Sequence, residues 1–139
     1  MQRAFLRALM LAAAVAVAGC DNDVEDRSPT EPPPTVTETF EGTITPNGAM
    51  THTFNVSVGG TVTATLLQST PDPGTVLGFA IGTWNPTTST CQTVISNDNA
   101  AQGTILTGAA SRNGTLCARI YDTGRLTAAV SYTISVTHP

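Results

Sequence analysis

Cysteine is the residue type in this chain whose positions point most directly to chemistry. The three cysteines are Cys20, Cys91 and Cys117. Cys20 closes the run Val17-Ala18-Gly19-Cys20, directly after an apolar stretch, and Asp21 follows it. A thiol at the end of an apolar leader is a candidate for lipid attachment. The other two thiols are candidates for a disulfide, a metal site or a nucleophile.

The first nineteen residues have the pattern of an export signal. Residues 1–7 carry two arginines and no acid, and residues 8–18 are eleven apolar residues. This apolar stretch is too short to span a membrane, since a ~30 Å hydrocarbon core needs roughly 20 apolar residues. Ala18 and Gly19 are small enough for a signal peptidase. We therefore predict that residues 1–19 are a signal peptide that is removed on export.

Residues 17–20 resemble the lipobox of bacterial lipoproteins. The resemblance implies cleavage before Cys20 and a diacylglyceryl group on its sulfur, usually with a third acyl chain on the amine. Two or more chains anchor a protein stably, at ~0.8 kcal/mol per buried methylene. An ordinary secretory signal with a chance cysteine is the alternative. Asp21 and Asn22 resemble an inner-membrane retention signal whose rule varies among bacteria, so the prediction is a lipid anchor in the bacterial envelope, on the periplasmic face of the inner membrane or on the outer membrane.

Residues 20–36 are predicted to be a tether that begins with the lipidated Cys20. The segment is acidic and rich in proline, with too little apolar surface to offset the entropy of ordering. Residues 32–34 are three successive prolines and favour an extended polyproline conformation. At ~3.3 Å per residue the tether reaches about 50 Å when fully extended. Its expected role is to hold a folded domain away from the bilayer.

The charge of the chain excludes several classes of partner. There is no lysine, and residues 20–139 hold four arginines against ten acids, for a formal charge of −6. Five of the acids lie between Asp21 and Glu31. No basic stripe is available to neutralise phosphates, which argues against nucleic-acid binding and against adhesion to anionic lipid. The lipid on Cys20 is therefore the only predicted membrane contact.

Cys91 and Cys117 are the two cysteines that are left when Cys20 carries lipid. An even pair in an exported chain predicts a disulfide. In the chain-entropy model, closing this span stabilises the fold by roughly 3 to 4 kcal/mol. The alternatives are less favoured, because zinc sites usually contain CxxC pairs and an oxidising compartment works against a free thiol nucleophile.

From Thr37 onward, apolar and polar residues alternate with a period of two. This alternation predicts strands that have one face in a core. Weaker strands fit residues 92–95 and 104–107. Turn signals separate the strands at residues 46–48, 59–60, 71–74, 85–86, 97–99, 113–114 and 122–124. About eight strands and no helix after the signal predict an all-β fold, a single antiparallel, jelly-roll-like β-sandwich over residues 37–139.

Four segments resemble the bacterial pre-peptidase C-terminal domain family: FEGTITPNGAMTHTFNV, GGTVTATL, LCARIYDTG and SYTISVTHP. The resemblance covers about residues 38–138 and implies a small β-sandwich that serves as an accessory or binding module without catalytic residues. Many members alternate acidic and apolar residues in a middle strand. Here residues 77–82 are neutral, so a calcium or polar role is not expected at that strand.

The histidines give little support to an enzyme. His52 shares the parity of Phe54 and Val56 and is predicted at the edge of the core, whereas His138 is expected to fray. No GxSxG, HExxH or phosphate-loop motif occurs. A triad that is assembled in space stays an alternative. We predict a protein that is not an enzyme and needs no cofactor.

Asp98 and Asp122 are weak candidates for calcium ligands. Asp98 lies in a Ser-Asn-Asp-Asn run, and Asp122 lies in another predicted turn. Carboxylate and amide oxygens suit calcium, but Asn and Asp also make tight turns without any ion. Calcium sites usually gather more than two carboxylates, so no metal is the favoured interpretation.

Trp84, Tyr121 and Arg119 are the remaining candidates for binding. Trp84 is the only tryptophan, and with a nearby Tyr121 it could stack on a sugar ring. The favoured alternative is that Trp84 packs in the core over the disulfide. Arg119 shares a predicted strand with Tyr121. It is expected to pair with a surface carboxylate such as Asp98, as are the other arginines near it, or to bind an anionic partner.

The sequence therefore predicts a membrane-anchored envelope lipoprotein that presents a non-catalytic binding or accessory module to an envelope protein or a polysaccharide. A purely structural envelope component is the alternative from a different class. A calcium-binding or hydrolytic domain is the more remote one. Flat, threonine-rich sheets favour the structural role, and an aromatic or acidic groove favours binding.

Overall fold

Eight β-strands form two four-stranded antiparallel sheets in the computed structural model, which describes residues 31–139. The predictions for the signal peptide, for Cys20 and for most of the tether lie outside these residues. The strands are β1 (Val36–Ile44), β2 (Ala49–Val56), β3 (Gly60–Thr70), β4 (Leu77–Asn85), β5 (Thr90–Ala100), β6 (Ile105–Ala110), β7 (Gly114–Tyr121) and β8 (Val130–His138). No helix within this part of the chain has the length and apolar character needed to cross a membrane.

The strand order is that of a jelly roll. Sheet 1 has the order β1-β8-β3-β6, and sheet 2 has the order β2-β7-β4-β5. The first strand therefore pairs with the last, the second with the seventh, the third with the sixth, and the fourth with the fifth. This is a long antiparallel hairpin rolled into two facing sheets. The structure confirms the predicted all-β, antiparallel fold.

Alternation along the strands builds the core between the two sheets. Every second side chain points inward and is buried, which is why the period of two could be read from the sequence. The largest fully buried apolar side chains are Ile44, Val62, Leu66, Leu77, Phe79, Ile120, Ile134 and Val136. The strand β4 is the exception, since residues 77–82 are buried on both faces.

The predicted turn at residues 97–99 is wrong, because these residues lie inside β5. Asn97 pairs with Phe79 and Ala100 pairs with Leu77, so β5 contains one extra residue between the two pairs. The side chain of Asn97 accepts the backbone N–H of Asn99 at 2.9 Å, which forms a local turn within the strand. In a bulge of this kind, turn-forming residues bend the backbone locally while the strand continues.

The predicted fraying of His138 is also wrong. Its exposed fraction is 3%, and it is the last residue of β8, which lies between two other strands of sheet 1. The ring packs against Phe54 with centroids 5.0 Å apart, and its Nε2 lies 2.9 Å from Glu38 Oε1. Contacts from both sheets therefore hold this residue in place.

His52 lies at the edge of the core, where it joins the sheets. From β2 it shares a hydrogen bond of 2.7 Å with the hydroxyl of Tyr132 on β8 and stacks on Phe40 of β1, with ring centroids 5.0 Å apart. Burial lowers the pKa of His52 and raises the pKa of Tyr132 to about 12. Both groups are therefore held neutral at pH 7.

Candidate functional site

The disulfide between Cys91 and Cys117 lies on sheet 2 and spans a strand. Cys91 is on β5 and Cys117 is on β7, and β4 lies between these strands in the sheet. Strands separated by one neighbour are about 9.6 Å apart in a flat sheet, yet the two Cα atoms are only 5.8 Å apart. The start of β5 must therefore leave the plane of the sheet and approach β7 over β4.

Gly82 makes this approach possible. A Cβ at Gly82 would collide with the backbone carbonyl of Gln92, so the β5 backbone occupies the space where a side chain of β4 would stand. The pairing of β4 with β5 shifts register at this point, between Ile81 and Gly82. Glycine within a strand often marks a position where another backbone approaches closely, because it has no side chain to obstruct the approach. This approach brings Cys91 over Gly82 to Cys117, which is fully buried.

Tyr121 and Arg119 lie farther along the same outer face of sheet 2. The ring of Tyr121 lies over Gly78, where a Cβ would overlap it. Its hydroxyl donates a hydrogen bond to Asp98. The guanidinium of Arg119 stacks on the Tyr121 ring, with its carbon 5.3 Å from the ring centroid. Burial, together with the hydrogen bond and charge of Asp98, raises the pKa of Tyr121, so this hydroxyl stays a donor.

A pocket of about 310 Å³ separates Arg119 from the turn between β4 and β5. Its walls are Ala49 and Thr51 of β2, Ser89 and residues 90–91 of β5, and Arg119. The hydroxyls of Thr51, Ser89 and Thr90 and the guanidinium are its polar groups. The pocket can therefore donate several hydrogen bonds and one positive charge to a ligand.

A second cleft, of about 470 Å³, contains Trp84. Trp84 and Pro86 line one side of this cleft, and the connection from β6 to β7, with Arg112 and Asn113, lines the other. Trp84 is half-buried, and although it lies opposite Cys91 in the register of β4 and β5, it is not part of the hydrophobic core. The prediction that Trp84 packs in the core is therefore wrong. The cleft can offer an aromatic surface, a cation and an amide to one ligand.

The structure brings Tyr121, Arg119 and Asp98 together but leaves Trp84 apart from them. Tyr121 lies opposite Gly78, near the start of β4, whereas Trp84 is six residues later in the same strand. At ~3.3 Å per residue this separation is about 20 Å. A single sugar ring cannot stack on both aromatic residues.

The arginines of residues 31–139 do not pair with carboxylates. The only ion pair in this part of the chain joins His138 and Glu38. Arg125 donates instead to the amide oxygen of Asn99 at 2.9 Å. The expected surface pairing of Arg119 with Asp98 is wrong, because within residues 31–139 no carboxylate oxygen lies within 4.0 Å of this guanidinium; Asp98 accepts from Tyr121.

Asp122, the other calcium candidate, binds backbone groups. Its carboxylate accepts the N–H groups of Asn47, Gly124, Arg125 and Leu126 at 2.8 to 3.1 Å. These bonds, with that of Asn47 the strongest cause, lower the pKa of Asp122. Asp98 and Asp122 thus both serve hydrogen bonds within the fold. Within residues 31–139 no three His, Cys, Asp or Glu side chains gather around a position for a metal ion.

Sequence reasoning did not single out Gly82, Gly78 or Ser89. The two glycines alternate with Ala80, so the outward face of β4 consists of small residues. This pattern of small residues could have indicated that a side chain or another backbone approaches the outward face of β4 closely. Ser89 has a φ of 51° in the turn before β5, which nothing in its residue type predicts.

No family model matches the sequence of this chain, and no curated protein matches it.

Proposed function

We propose that this protein is a bacterial envelope lipoprotein that presents a non-catalytic binding module for a polysaccharide. The signal peptide is removed before Cys20, lipid on Cys20 anchors the protein, and the acidic tether holds the sandwich above the membrane. We include the resemblance to the pre-peptidase C-terminal domain family in this proposal, since a small jelly roll is compatible with it.

The cleft at Trp84 is the observation that carries the proposal. Sugar rings bind proteins through their C–H faces on aromatic side chains and through hydrogen bonds to their hydroxyls. Trp84 supplies the aromatic surface, while Asn113 and Arg112 supply hydrogen-bond donors on the opposite wall. Both histidines have structural partners, Tyr132 for His52 and Glu38 for His138, which fits a module without catalysis.

Fluorescence tests the proposal directly because Trp84 is the only tryptophan of the chain. The full-length lipidated protein in detergent micelles is titrated with oligosaccharides released from bacterial envelope polysaccharide. Binding in the cleft is expected to shift the emission of Trp84 to shorter wavelength and to protect it from iodide quenching. In a polysaccharide pull-down, the Trp84→Ala variant is expected to lose most binding, since aromatic stacking contributes about 1 kcal/mol or more.

The Ile105→Ala variant is the matched control. It truncates an exposed apolar residue at the start of β6 that lines neither this cleft nor the pocket beside the disulfide, and it is expected to bind as the wild type does. Unchanged Trp84 emission at saturating oligosaccharide, or equal retention of Trp84→Ala and wild type, would contradict a sugar site at this cleft.

A structural role is the second candidate, and the outer face of sheet 1 favours it. The outward side chains of this face are mostly threonine and serine, with none aromatic. A pull-down from solubilised envelope with the lipidated protein as bait separates the two functions. Recovery of one partner in stoichiometric yield supports binding, and recovery of none supports the structural role.

The lipid anchor has its own test. The Cys20→Ser variant is expected to lose incorporation of labelled fatty acid and to leave the membrane fraction. Continued membrane association of this variant would contradict the anchor, while the sugar-binding measurements would be unaffected.

A further inference from the structure

We propose that the pocket beside the disulfide binds the carboxylate of an acidic sugar residue, with Arg119 as the group that recognises it. The inference rests on the proposed function for the class of ligand, a polysaccharide, and adds a second binding site and a charge selectivity to it. The pocket is distinct from the cleft at Trp84 and is lined by β2, β7 and the turn before β5.

Arg119 is held in position before any ligand arrives. Its guanidinium stacks on the ring of Tyr121. That ring rests on Gly78 and is fixed at its other end by the hydrogen bond to Asp98. A guanidinium that is already confined over a ring loses less side-chain entropy when it binds an anion.

The donors of Arg119 are available to a ligand. Within residues 31–139 no carboxylate oxygen lies within 4.0 Å of its guanidinium, and none of the side-chain hydrogen bonds there involves it. The carboxylate of Asp98 accepts from Tyr121 instead. A guanidinium presents its N–H groups as a fork that matches the two oxygens of a carboxylate.

The other walls suit a polyhydroxylated molecule. Thr51 lies directly opposite Arg119 in the pairing of β2 with β7, and Ser89 faces the pocket from the turn. Ser89 has a left-handed backbone, a conformation that costs free energy outside glycine and concentrates at ligand sites. The side chain of Asn85 fixes this turn by accepting the N–H groups of Thr87 and Thr88. Hydroxyls at fixed positions can bind the hydroxyls of a sugar ring.

The negative charge of the chain further limits the classes of anionic ligand that the pocket could bind. With a formal charge of −6 on residues 20–139, long-range forces repel a densely charged polyanion such as a nucleic acid or a polyphosphate. One guanidinium surrounded by hydroxyls instead fits one carboxylate per binding site. A uronic acid residue within a polysaccharide has this chemistry.

The test compares two oligosaccharides of equal length, one of galactose alone and one in which a single residue is galacturonic acid. Binding to the full-length lipidated protein in micelles is measured by calorimetry at low salt. We expect the acidic oligosaccharide to bind about ten-fold or more tightly than the neutral one, the range for hydrogen bonds to a charged group. The Arg119→Gln variant is expected to abolish this preference, and Arg119→Lys to retain only part of it, since the ammonium lacks the fork.

Two further variants keep the proposal testable if Arg119→Gln fails to fold. Thr51→Glu places a carboxylate opposite Arg119 at an exposed position and is expected to remove the acidic preference while Arg119 is retained. Arg125→Gln removes an equal charge from an arginine that already binds Asn99 and is expected to leave the preference unchanged.

Several results would overturn the site. They are equal affinity for the acidic and neutral oligosaccharides, an unchanged preference in Arg119→Gln or Thr51→Glu, or an equal loss in Arg125→Gln. Inorganic phosphate that competes as strongly as galacturonate would reduce the site to unspecific anion binding and contradict the sugar assignment. Binding of neutral sugar alone leaves the proposed function standing while this inference fails; absence of any sugar binding ends both.

Discussion

The outer faces of the two sheets differ, although both come from strands with the same alternation. On sheet 1 the outward positions are mostly threonine or serine. One row across all four strands consists of Thr37, Thr137, Thr63 and Thr107. On sheet 2 the outward positions hold the disulfide, a stacked arginine and a tyrosine that lies over a glycine.

The difference lies in what covers the backbone. On sheet 1, β-branched threonines suit a pleated surface that is open to water, and they interact only with cross-strand neighbours. On sheet 2, the small outward residues of β4 let other groups of the domain cover the strand. Ala80 and Cys117 are fully buried there, although they are outside the hydrophobic core between the sheets. Small residues thus create a second, shallow packed layer, and the polar groups that border it form the candidate pocket.

The largest expected effect of breaking this comparison comes from the disulfide. The Cys91→Ala/Cys117→Ala double variant is expected to lose about 3.5 kcal/mol of unfolding free energy, the chain-entropy value for a span of this length. Urea denaturation under oxidising conditions measures it. The matched change on sheet 1 is Thr37→Val/Thr137→Val, which removes a hydroxyl pair 2.8 Å apart and should cost less than about 1 kcal/mol. Equal losses would contradict the contrast between the faces.

The Gly82→Ala variant is expected to cause the next largest loss of unfolding free energy. The added methyl group meets the rigid carbonyl of Gln92, so β5 must move away from β4. Overpacking of this kind costs about 1 to 3 kcal/mol, and thiol titration should show slower closure of the disulfide on refolding. Gly108→Ala is the control, since its methyl group meets only the terminal carbon of Ile95 at 2.8 Å, which can rotate. A smaller loss for Gly82→Ala than for Gly108→Ala would refute the crossing of β5 over β4.

The hydrogen bond between His52 and Tyr132, which joins the two sheets, predicts that the free energy of unfolding depends on pH. Because burial lowers the pKa of His52 from 6.5, the unfolded chain takes up this proton more readily than the folded one. The stabilisation that the fold gains from neutral His52 is complete above pH 6.5. It decreases as pH falls through 6.5 toward the lowered pKa of the folded state. The difference in unfolding free energy between wild type and His52→Gln should therefore fall between pH 7 and pH 5. A difference that is flat or increases toward acid would contradict the burial of a neutral imidazole; both proteins retain His138.

The smallest effect is expected on sheet 1. Thr107→Ala changes an exposed residue on the edge strand β6 and should alter unfolding free energy by no more than about 0.5 kcal/mol. It should also leave sugar binding unchanged. A loss of binding in this variant would move the functional surface from sheet 2 to sheet 1.

The reliable part of the sequence prediction was the part that depends on short-range pattern. Alternation is a property of neighbouring residues, so the strands and most turns could be predicted, and the pairing of Cys91 with Cys117 followed from their number. The turn at residues 97–99 failed because an Asn-Asp-Asn run has the same local preference inside a bulge as in a loop. The prediction for His138 was wrong because its neighbours are distant in the sequence. Glu38 on β1 is 100 positions away, and Phe54 on β2 is 84 positions away (138 − 54).

By itself, the sequence determined the class of fold through its alternating strands, and it supplied two cysteines that can pair. It also predicts a lipidation signal at Cys20 and an acidic tether. Tertiary structure decided which of these groups meet. The jelly-roll order places β7 beside β4, so Tyr121 comes to lie over Gly78 and Arg119 lies opposite Ala80, while Trp84 faces a different cleft. The physical reason is that alternation fixes which side of a strand a residue is on, whereas strand order and close approach fix its neighbours.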